Sequence, residues 1–564
     1  MKRTLIILTL FLSLISCTQE EPIDQTPKIS FENTTNIYLV KVGKEFNLEA
    51  KITNSDKAII NWYEEGKIIS NTSQLTKTWD EVGQKFISLK VINKFGEDEK
   101  EIRVDVAPLI LPKILLAVPE NGYTTITNGK IKLNPSIEND ENCSYTWKKN
   151  GEKVSDKLEY EFSSASTGAF DISLTASNED GEDILEFKIT VLSPEDMPFS
   201  WKFDKENFYL SKGRKIKIDA FAIENAFDAT YIWEIDGKEV SKGEKPEYIF
   251  DAQKEGSYKL KVTMSNSYFS VSKDLNIEVC PAEGTYKRAR SASDNRHYSR
   301  IYEYLAAPGQ FINEGWTSTT MEEACKYAEE RLEIEGYVSL GGFGGYLVAG
   351  FDHSIDNDGG YNFQVLGNSF KGSSEPGIVY VMQDENGDGL PNDTWYELKG
   401  SESGKPETNR NYYVTYFRPK TTNMPVSWID SDGKTGSIDY LQAYHTQDYY
   451  YPTWVKEDEM TLRGTKLSPR TREVTPSYWS NDEFDWGYAD NFSKIDRLTD
   501  NDNAGAAANA NHFKISDAID YKGDPANLKY IDFIKVQTGV NVKAGWLGEN
   551  STEVFGIRDY NMIK

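Results

Sequence analysis

Trp233-Glu234-Ile235-Asp236-Gly237-Lys238 is a strand running into a turn, since Asp-Gly is the dipeptide that closes a tight hairpin. The same arrangement occurs twice more, with Trp62 and Trp147 each followed four residues later by a glycine, Gly66 and Gly151. Further along each copy a second glycine precedes an asparagine by ten residues: Gly83 and Asn93, Gly168 and Asn178, Gly256 and Asn266. Between them the chain alternates, as in Phe170-Asp171-Ile172-Ser173-Leu174 and Tyr258-Lys259-Leu260-Lys261-Val262. Alternation of apolar and polar residues marks a strand with one buried face. A supersecondary unit repeated three times, with one large ring per copy, predicts three β-sandwich modules whose Trp fills the space between two sheets.

Working outward, the chain has 564 residues, which suggests three or four domains. Its 63 basic and 89 acidic side chains give a net charge of −26, spread along the whole length. That balance excludes an electrostatic nucleic-acid binder, which needs a concentrated basic surface. With 33 Tyr, 26 Phe and 12 Trp the chain is too rich in core-forming rings to be mainly disordered. Four Cys are too few for a disulfide framework.

At the N-terminus, Lys2 and Arg3 precede an apolar run over residues 5–15, too short to span a bilayer and right for a secretory signal. The run ends in Leu14-Ile15-Ser16-Cys17, which resembles the bacterial lipobox. The resemblance implies that Cys17 carries the lipid and becomes the first mature residue. Thr18-Gln19-Glu20-Glu21 is similar to the surface-export signal of Bacteroidetes lipoproteins, which implies an outer-membrane anchor facing the exterior. The expected division is a signal peptide (1–16), a lipidated tether (17–26), modules at 27–108, 109–193 and 194–280, and a C-terminal domain at 281–564. The modules resemble the PKD-like and immunoglobulin-like modules of bacterial surface proteins, although they lack the Asp-rich turn after Trp. With their rings in the inward strand phase, they are expected to act as a spacer.

After Cys280 the repeat stops, and seven of the twelve Trp and all four His (His297, His353, His445, His512) follow. One helix is predicted. Thr320 and Glu323 form a capping box, Met321, Ala324, Cys325, Ala328 and Leu332 make one apolar stripe, and Gly336 ends it. Cys325 lies on that stripe and reads as a buried thiol. Strands are predicted at 337–340, 346–351, 378–382, 395–398, 412–417, 530–537 and 553–557. The chain is therefore all-β, with three sandwich modules followed by a larger jelly-roll-like β domain with one helix. Gly341-Gly342-Phe343-Gly344-Gly345 is not a nucleotide loop, because Leu347 replaces the last glycine and a strand follows where a helix is required. It marks close backbone approach at a corner.

Asp384-Glu385-Asn386-Gly387-Asp388-Gly389-Leu390-Pro391-Asn392-Asp393 offers hard oxygens at the spacing of a calcium loop. Asp384, Asn386, Asp388 and the Leu390 carbonyl would bind Ca2+, completed by Asn392 or Asp393, since Trp395 replaces the usual bidentate Glu. A polar hairpin without metal is the competing reading. No HExxH, GxSxG, SxxK or zinc-spaced cluster is present, so no catalytic residue is assigned and an enzyme is not expected. Paired carboxylates are defined by separation in space, which a sequence does not display.

Residues 440–488 are dense in rings: Tyr444, His445, Tyr449, Tyr450, Tyr451 and Trp454, then Trp479, Trp486 and Tyr488. Three consecutive tyrosines cannot face one core from a strand, which predicts some exposed rings and a platform for a flat, partly apolar ligand. Two-sided packing between sheets is the alternative. Residues 500–512, small and polar, read as a loop whose Asn509 and Asn511 amides would edge the site. His445 is the candidate ligand to a metal centre within a bound molecule, or else a hydrogen-bonded structural residue.

Gly341-Gly342-Phe343-Gly344-Gly345, Val348-Ala349-Gly350-Phe351-Asp352, Gly367-Asn368-Ser369-Phe370, Glu375-Pro376-Gly377-Ile378-Val379, Trp395-Tyr396-Glu397-Leu398, Asp485-Trp486-Gly487-Tyr488-Ala489-Asp490 and Ser551-Thr552-Glu553-Val554-Phe555-Gly556 span about residues 337 to 560. Together they resemble the C-terminal domain of Bacteroidetes cell-surface lipoproteins, including the BtuH family found with vitamin B12 uptake systems. The resemblance implies a surface lipoprotein that binds cobalamin or another corrinoid and presents it to a TonB-dependent outer-membrane transporter with companion surface lipoproteins. It maps no contact residue onto this chain. A glycan-binding protein of a saccharide-uptake system is the alternative, and a glycan hydrolase the third.

Overall fold

The computed structural model describes residues 25–116, 118–119, 121–475, 478–498 and 509–563. These form two compact units, one reaching to Leu111 with Glu179–Gly181, the other running from Pro112 to Asn178 and from Glu182 onward. The fold is all-β: three sandwich modules followed by a larger β domain that holds, among the described residues, one α-helix.

Each module is built on a five-stranded sheet of the same order. In the third the order is Asn207–Ser211, Ser270–Cys280, Gly256–Ser265, Thr230–Ile235 and Lys238–Gly243, with the first pair parallel and the others antiparallel. Lys215–Asp219 pairs with Glu247–Asp251 in a second, smaller sheet. Trp62, Trp147 and Trp233 are buried in their module cores. The indole N–H of Trp62 donates to the Thr72 carbonyl at 3.0 Å, and that of Trp147 to Leu158 at 3.1 Å. Four residues on, the glycine and the residue before it both adopt left-handed backbone: Glu65 and Gly66, Asn150 and Gly151, Asp236 and Gly237. Two consecutive positive φ angles match the right-handed twist of a hairpin, which is why glycine recurs there. The recurring asparagine caps the next hairpin: Asn93 Oδ1 accepts from the N–H groups of Phe95 and Gly96, and Asn266 Oδ1 from those of Tyr268 and Phe269.

In the C-terminal domain a six-stranded antiparallel sheet runs Arg300–Leu305, Tyr346–Asp356, Tyr530–Thr538, Gly377–Met382, Trp395–Leu398 and Ala518–Ile519. A four-stranded sheet (Thr435–Ile438, Val426–Asp430, Asn409–Phe417, Glu459–Lys466) and a three-stranded one (Asn511–Phe513, Phe363–Leu366, Gly556–Asp559) accompany it. Each predicted strand is present, although the first is only Val338–Ser339 and the last is split into Glu553–Val554 and Gly556–Asp559. Those at 300–305, 363–366, 426–430, 435–438 and 459–466 were not expected, and several of them are buried on both faces and so do not alternate. The glycine run is a site of close backbone approach: a Cβ on Gly345 would lie 1.8 Å from the Leu340 carbonyl oxygen, and one on Gly341 2.0 Å from that of Ala307.

The helix spans Met321–Glu333 and buries Ala324, Cys325, Ala328 and Leu332 as its stripe predicts. Thr320 Oγ1 accepts from the Glu323 N–H at 3.2 Å, but the return bond goes one residue earlier, from the Thr319 N–H to Glu323 Oε2 at 2.7 Å. The helix ends through left-handed Glu335, with the Gly336 N–H donating to the Arg331 carbonyl at 2.8 Å. Burial pushes the Cys325 thiol up to about 11, so it is an inert packing group.

Modules 2 and 3 are not free-standing spacers. The Lys132 N–H of module 2 donates to the Gly433 carbonyl at 2.9 Å, and Thr435 Oγ1 donates to the Lys132 carbonyl at 3.1 Å. In module 3 the Ser211 N–H donates to Glu385 Oε1 at 2.9 Å, Thr394 Oγ1 donates to the Tyr209 carbonyl, and Arg463 pairs with Asp219. Lys205 inserts its ammonium against the carbonyls of Asn392 and Asp393, and burial pushes it down to about 8.

Candidate functional site

The structure disperses the predicted ring platform. Tyr450 and Tyr451 are wholly buried, and Trp454 and Tyr488 nearly so. The expectation that consecutive tyrosines must expose a ring assumed a strand with one wet face, whereas residues 449–451 are an irregular segment covered on both sides. Tyr450 packs against Tyr440 with centroids 5.0 Å apart, accepts from the Leu441 N–H and donates to the His445 carbonyl. Tyr451 lies beneath the Arg418 guanidinium and donates to the Glu457 carbonyl. Trp454 packs on Tyr304 and Trp316 and donates to the Tyr304 carbonyl. Tyr488 packs on Phe484 beneath Gly400, and Tyr449 and Trp486 are half-buried.

The expected amide edge is also structural. Asn511 belongs to a strand rather than a loop and spends its side chain on the Asn491 backbone and Asp496 Oδ1. Asn509 Oδ1 accepts from Arg497. His512 is buried, bonded through Nδ1 to the Asp496 carbonyl. Residues 500–508 of the predicted loop, and Cys17 with its lipobox, lie outside the described residues.

One open face is centred on Tyr444, which is 65% exposed, and Trp546, which is 48% exposed, with ring centroids 6.1 Å apart and planes inclined at 42°. Trp546 escaped the sequence reading because it stands alone in Ala544-Gly545-Trp546-Leu547-Gly548, far from the ring-dense stretch. Trp479 adjoins this face: a Cβ on Gly545 would fall 2.3 Å from its Nε1, so only glycine lets that turn close. His445, next to Tyr444, is bonded through Nδ1 to Glu314 Oε1 at 2.7 Å and meets Phe311 edge-on at 4.9 Å. Phe311 continues to Tyr337, and Tyr337 to Phe555, at 5.9 and 6.1 Å.

Beside these rings lies a carboxylate cluster that no sequence motif announced. Glu375, Asp490 and Glu553 bring one carboxylate oxygen each to within 4.8 Å of one another. The Gly377–Met382 strand of the six-stranded sheet begins two residues after Glu375, Asp490 follows the isolated bridge of Ala489 to Gly377, and Glu553 pairs with Ser339. The Asn368 and Glu553 N–H groups donate to the two oxygens of Asp490, and the Asn368 amide donates to Glu553 Oε2. Burial raises all three carboxyls, and their mutual repulsion adds to the shifts of Glu375 and Glu553. Glu549, on the same loop as Trp546, is pushed up to about 8, mainly by burial.

The predicted calcium residues form the turn between Gly377–Met382 and Trp395–Leu398. Asp384 accepts from the Gly387 and Gly389 N–H groups at 2.8 and 3.0 Å. Asp388 Oδ1 accepts from the Leu390 N–H, and its Oδ2 from the side-chain amides of Asn386 and Asn392. Three of the expected ligands thus converge on one another. The Leu390 carbonyl accepts from the Asn392 N–H, and Asp393 turns away: it is wholly buried near Glu385, with neither carboxylate oxygen bonded, and is pushed up to about 8. Asp393 therefore does not complete the loop.

Between module 3 and the C-terminal domain is a cavity of about 1130 Å3. The Lys535 ammonium lies in it, 4.4 Å from the Tyr380 centroid, 5.1 Å from Trp395 and 5.5 Å from Tyr346. Among the described residues, no helix is long and apolar enough to cross a membrane.

No curated protein matches the chain. Among solved structures it is similar to Sidekick-1 immunoglobulin domains 1–5 (14% identity, 45% of this chain and 59% of that one, TM-score 0.26). It is also similar to the titin I-band fragment I67–I69 (13% identity, 45% and 98%, TM-score 0.22) and to the Clostridium thermocellum CbhA fibronectin(III)-like modules (17% identity, 29% and 94%, TM-score 0.19). The chain thus spans 59% of the length of the Sidekick-1 fragment. The PKD-like domain model matches residues 26–93, 111–178 and 199–266, one match for each Trp-centred sandwich, so three PKD-like repeats precede the C-terminal β domain.

Proposed function

We propose that this is a surface-exposed binding protein, anchored to the outer membrane through Cys17, whose C-terminal domain captures a corrinoid for a TonB-dependent transporter. One observation carries the placement of the ligand: Tyr444 and Trp546 are neighbouring open rings on a domain whose other aromatics, Tyr286, Phe370 and Tyr478 apart, are buried or half-buried. Exposed rings bordered by polar side chains suit a ligand with an apolar face and hydrogen-bonding edges. The resemblance of residues 337 to 560 to the BtuH-type surface domain supplies the ligand class. His445 faces Glu314 and Phe311 beside the platform, within the region such a ligand would cover. The hairpin brings Asp384, Asn386, Asp388 and Asn392 into one turn, and flipping the Asn386 and Asn392 amides would turn their oxygens toward Asp388 and a shared structural Ca2+.

A glycan is the second reading, favoured by the 42° inclination between the two rings, which suits a twisted saccharide chain better than a flat macrocycle. Titration of the full chain with cyanocobalamin, followed by visible absorption, separates the two. A saturable spectral shift supports the corrinoid. No shift, with retardation in a polysaccharide affinity gel, supports the glycan.

A further inference from the structure

The cavity between module 3 and the C-terminal domain lies apart from the ring platform, since neither Tyr444 nor Trp546 lines it. One face of the six-stranded sheet forms its floor, where register sets Lys535 opposite Tyr380, Tyr380 opposite Glu397, and Tyr346 opposite Gln537. Module 3 contributes Asp204, Lys217 and Phe221. Within the strand Tyr530–Thr538, Lys535 is the one residue that is not buried. At about 1130 Å3 the space is ample for a small molecule, since ligand pockets usually measure about 300 to 1,000 Å3 and favour domain interfaces.

The Lys535 ammonium makes no hydrogen bond or ion pair among the described residues. The three carboxylates whose charge reaches it are engaged elsewhere. Glu303 Oε2 accepts from the Tyr346 hydroxyl at 2.9 Å, Glu397 Oε2 accepts from Thr465 Oγ1 at 2.6 Å and pairs with Arg410, and Asp204 pairs with Arg463. The half-buried rings of Tyr346, Tyr380 and Trp395 attract the ammonium through their faces but offer no lone pair to its three N–H donors. An acceptor for them has to come from within the cavity.

Charge narrows the choice of acceptor. Eight Lys and Arg line the cavity against seven Asp and Glu, whereas the whole chain has 63 against 89. On a protein that repels anions, this lining admits one. A single ammonium, with Arg410 and Arg463 already paired, suits a carboxylate; a phosphate calls for a guanidinium fork or several donors at once.

We propose that this cavity is a second ligand site, taking a carboxylate borne on a ring-shaped body, with the charge on Lys535 and the body among Tyr346, Tyr380 and Trp395. The carboxylate replaces water on the ammonium, and the partly exposed rings cover the body. An acidic sugar and an aromatic acid share this chemistry. The site is independent of what the face of Tyr444 and Trp546 binds.

The test is calorimetric titration of the full chain at neutral pH with trigalacturonate and, separately, with 2-naphthoate. The expected result is saturable binding of one molecule per chain by one of the two probes, trigalacturonate identifying an acidic sugar and 2-naphthoate an aromatic acid. Lys535→Met, which keeps the apolar stem and removes the charge, should weaken that binding at least about tenfold. Should Lys535→Met fail to melt like wild type, the methyl ester of the bound probe gives the answer on the wild-type protein, because it keeps the ring body and loses the charge. The ester should bind at least about tenfold more weakly than the acid. The proposal is overturned if neither probe binds saturably, which leaves the cavity to water, or if a folded Lys535→Met binds as tightly as wild type. Equal affinity for acid and ester would likewise overturn it.

Discussion

Tyr444 and Trp546 are 102 residues apart in the chain, yet their ring centroids are 6.1 Å apart and both face solvent. A few residues from Tyr444, Tyr450 has no exposed surface. The contrast separates rings open to solvent from rings that hold the fold. Tyr450→Ala should lower stability by about 3 to 5 kcal/mol, the range for emptying a large aromatic site. Tyr444→Ala should change it by no more than about 0.5 kcal/mol, as surface substitutions do. Denaturant melts of the two variants check this, and equal losses would contradict the assignment.

The hairpin gives a metal-dependent prediction. A ligand that binds only the folded state raises stability by mass action. Chelation should lower the melting temperature of wild type, and Asp384→Ala with Asp388→Ala should remove the component of that response that belongs to the hairpin. Asp393→Asn should leave the hairpin's Ca2+ in place, because Asp393 faces Glu385 and the Lys205 side instead. Loss of that Ca2+ in Asp393→Asn, measured by elemental analysis, would put Asp393 back among the ligands.

Docking of module 3 onto the C-terminal domain changes where the chain can be cut. A fragment beginning at residue 194 keeps Lys205 on its carbonyls and Ser211 on Glu385. One beginning at residue 281 leaves Glu385 and Asp393 buried or newly wet without those partners. The shorter fragment should melt at lower temperature and be cleaved faster by protease. Equal melting of both fragments would restore the third module to a simple spacer.

His353 supplies a pH dependence. Its Nε2 bonds Asp559 at 2.9 Å, its Nδ1 bonds Asp352 at 2.7 Å, and Asp294 stands 3.8 Å from Nδ1. Chiefly through the Asp559 bond, these carboxylates raise its pKa above the ordinary value of about 6.5. A group raised on folding contributes stability that is fully present below about pH 6.5 and lost as pH climbs through the folded value. Melting temperature should therefore fall from about pH 6 to pH 9 more steeply in wild type than in His353→Asn. Parallel profiles would show that the imidazolium contributes nothing.

The modules were legible because their determinants are local: a Trp, a glycine four residues later that must take positive φ, and an asparagine that caps the next turn. The C-terminal strands at 395–398 and 530–538 were legible for a similar reason, as compact apolar runs bounded by turn residues. Reading failed where the outcome depended on partners distant in sequence. Whether Tyr450 is exposed is decided by Leu441 and Tyr440 folding over it, not by its own neighbours. Glu375, Asp490 and Glu553 were each present in stretches that looked distinctive, but as three acids among 89 they carry no signal until the sheet brings them together.

The central claim is that a corrinoid is held on the face of Tyr444 and Trp546. Its most direct measurement is a visible-absorption titration of cyanocobalamin into wild type and into Tyr444→Ala/Trp546→Ala, after both are shown to melt alike. The account predicts a saturable shift for wild type and an affinity at least about thirtyfold weaker for the double variant, the scale of about 2 kcal/mol carried by a hot-spot ring. No shift with wild type, or the same affinity in both proteins, would contradict it.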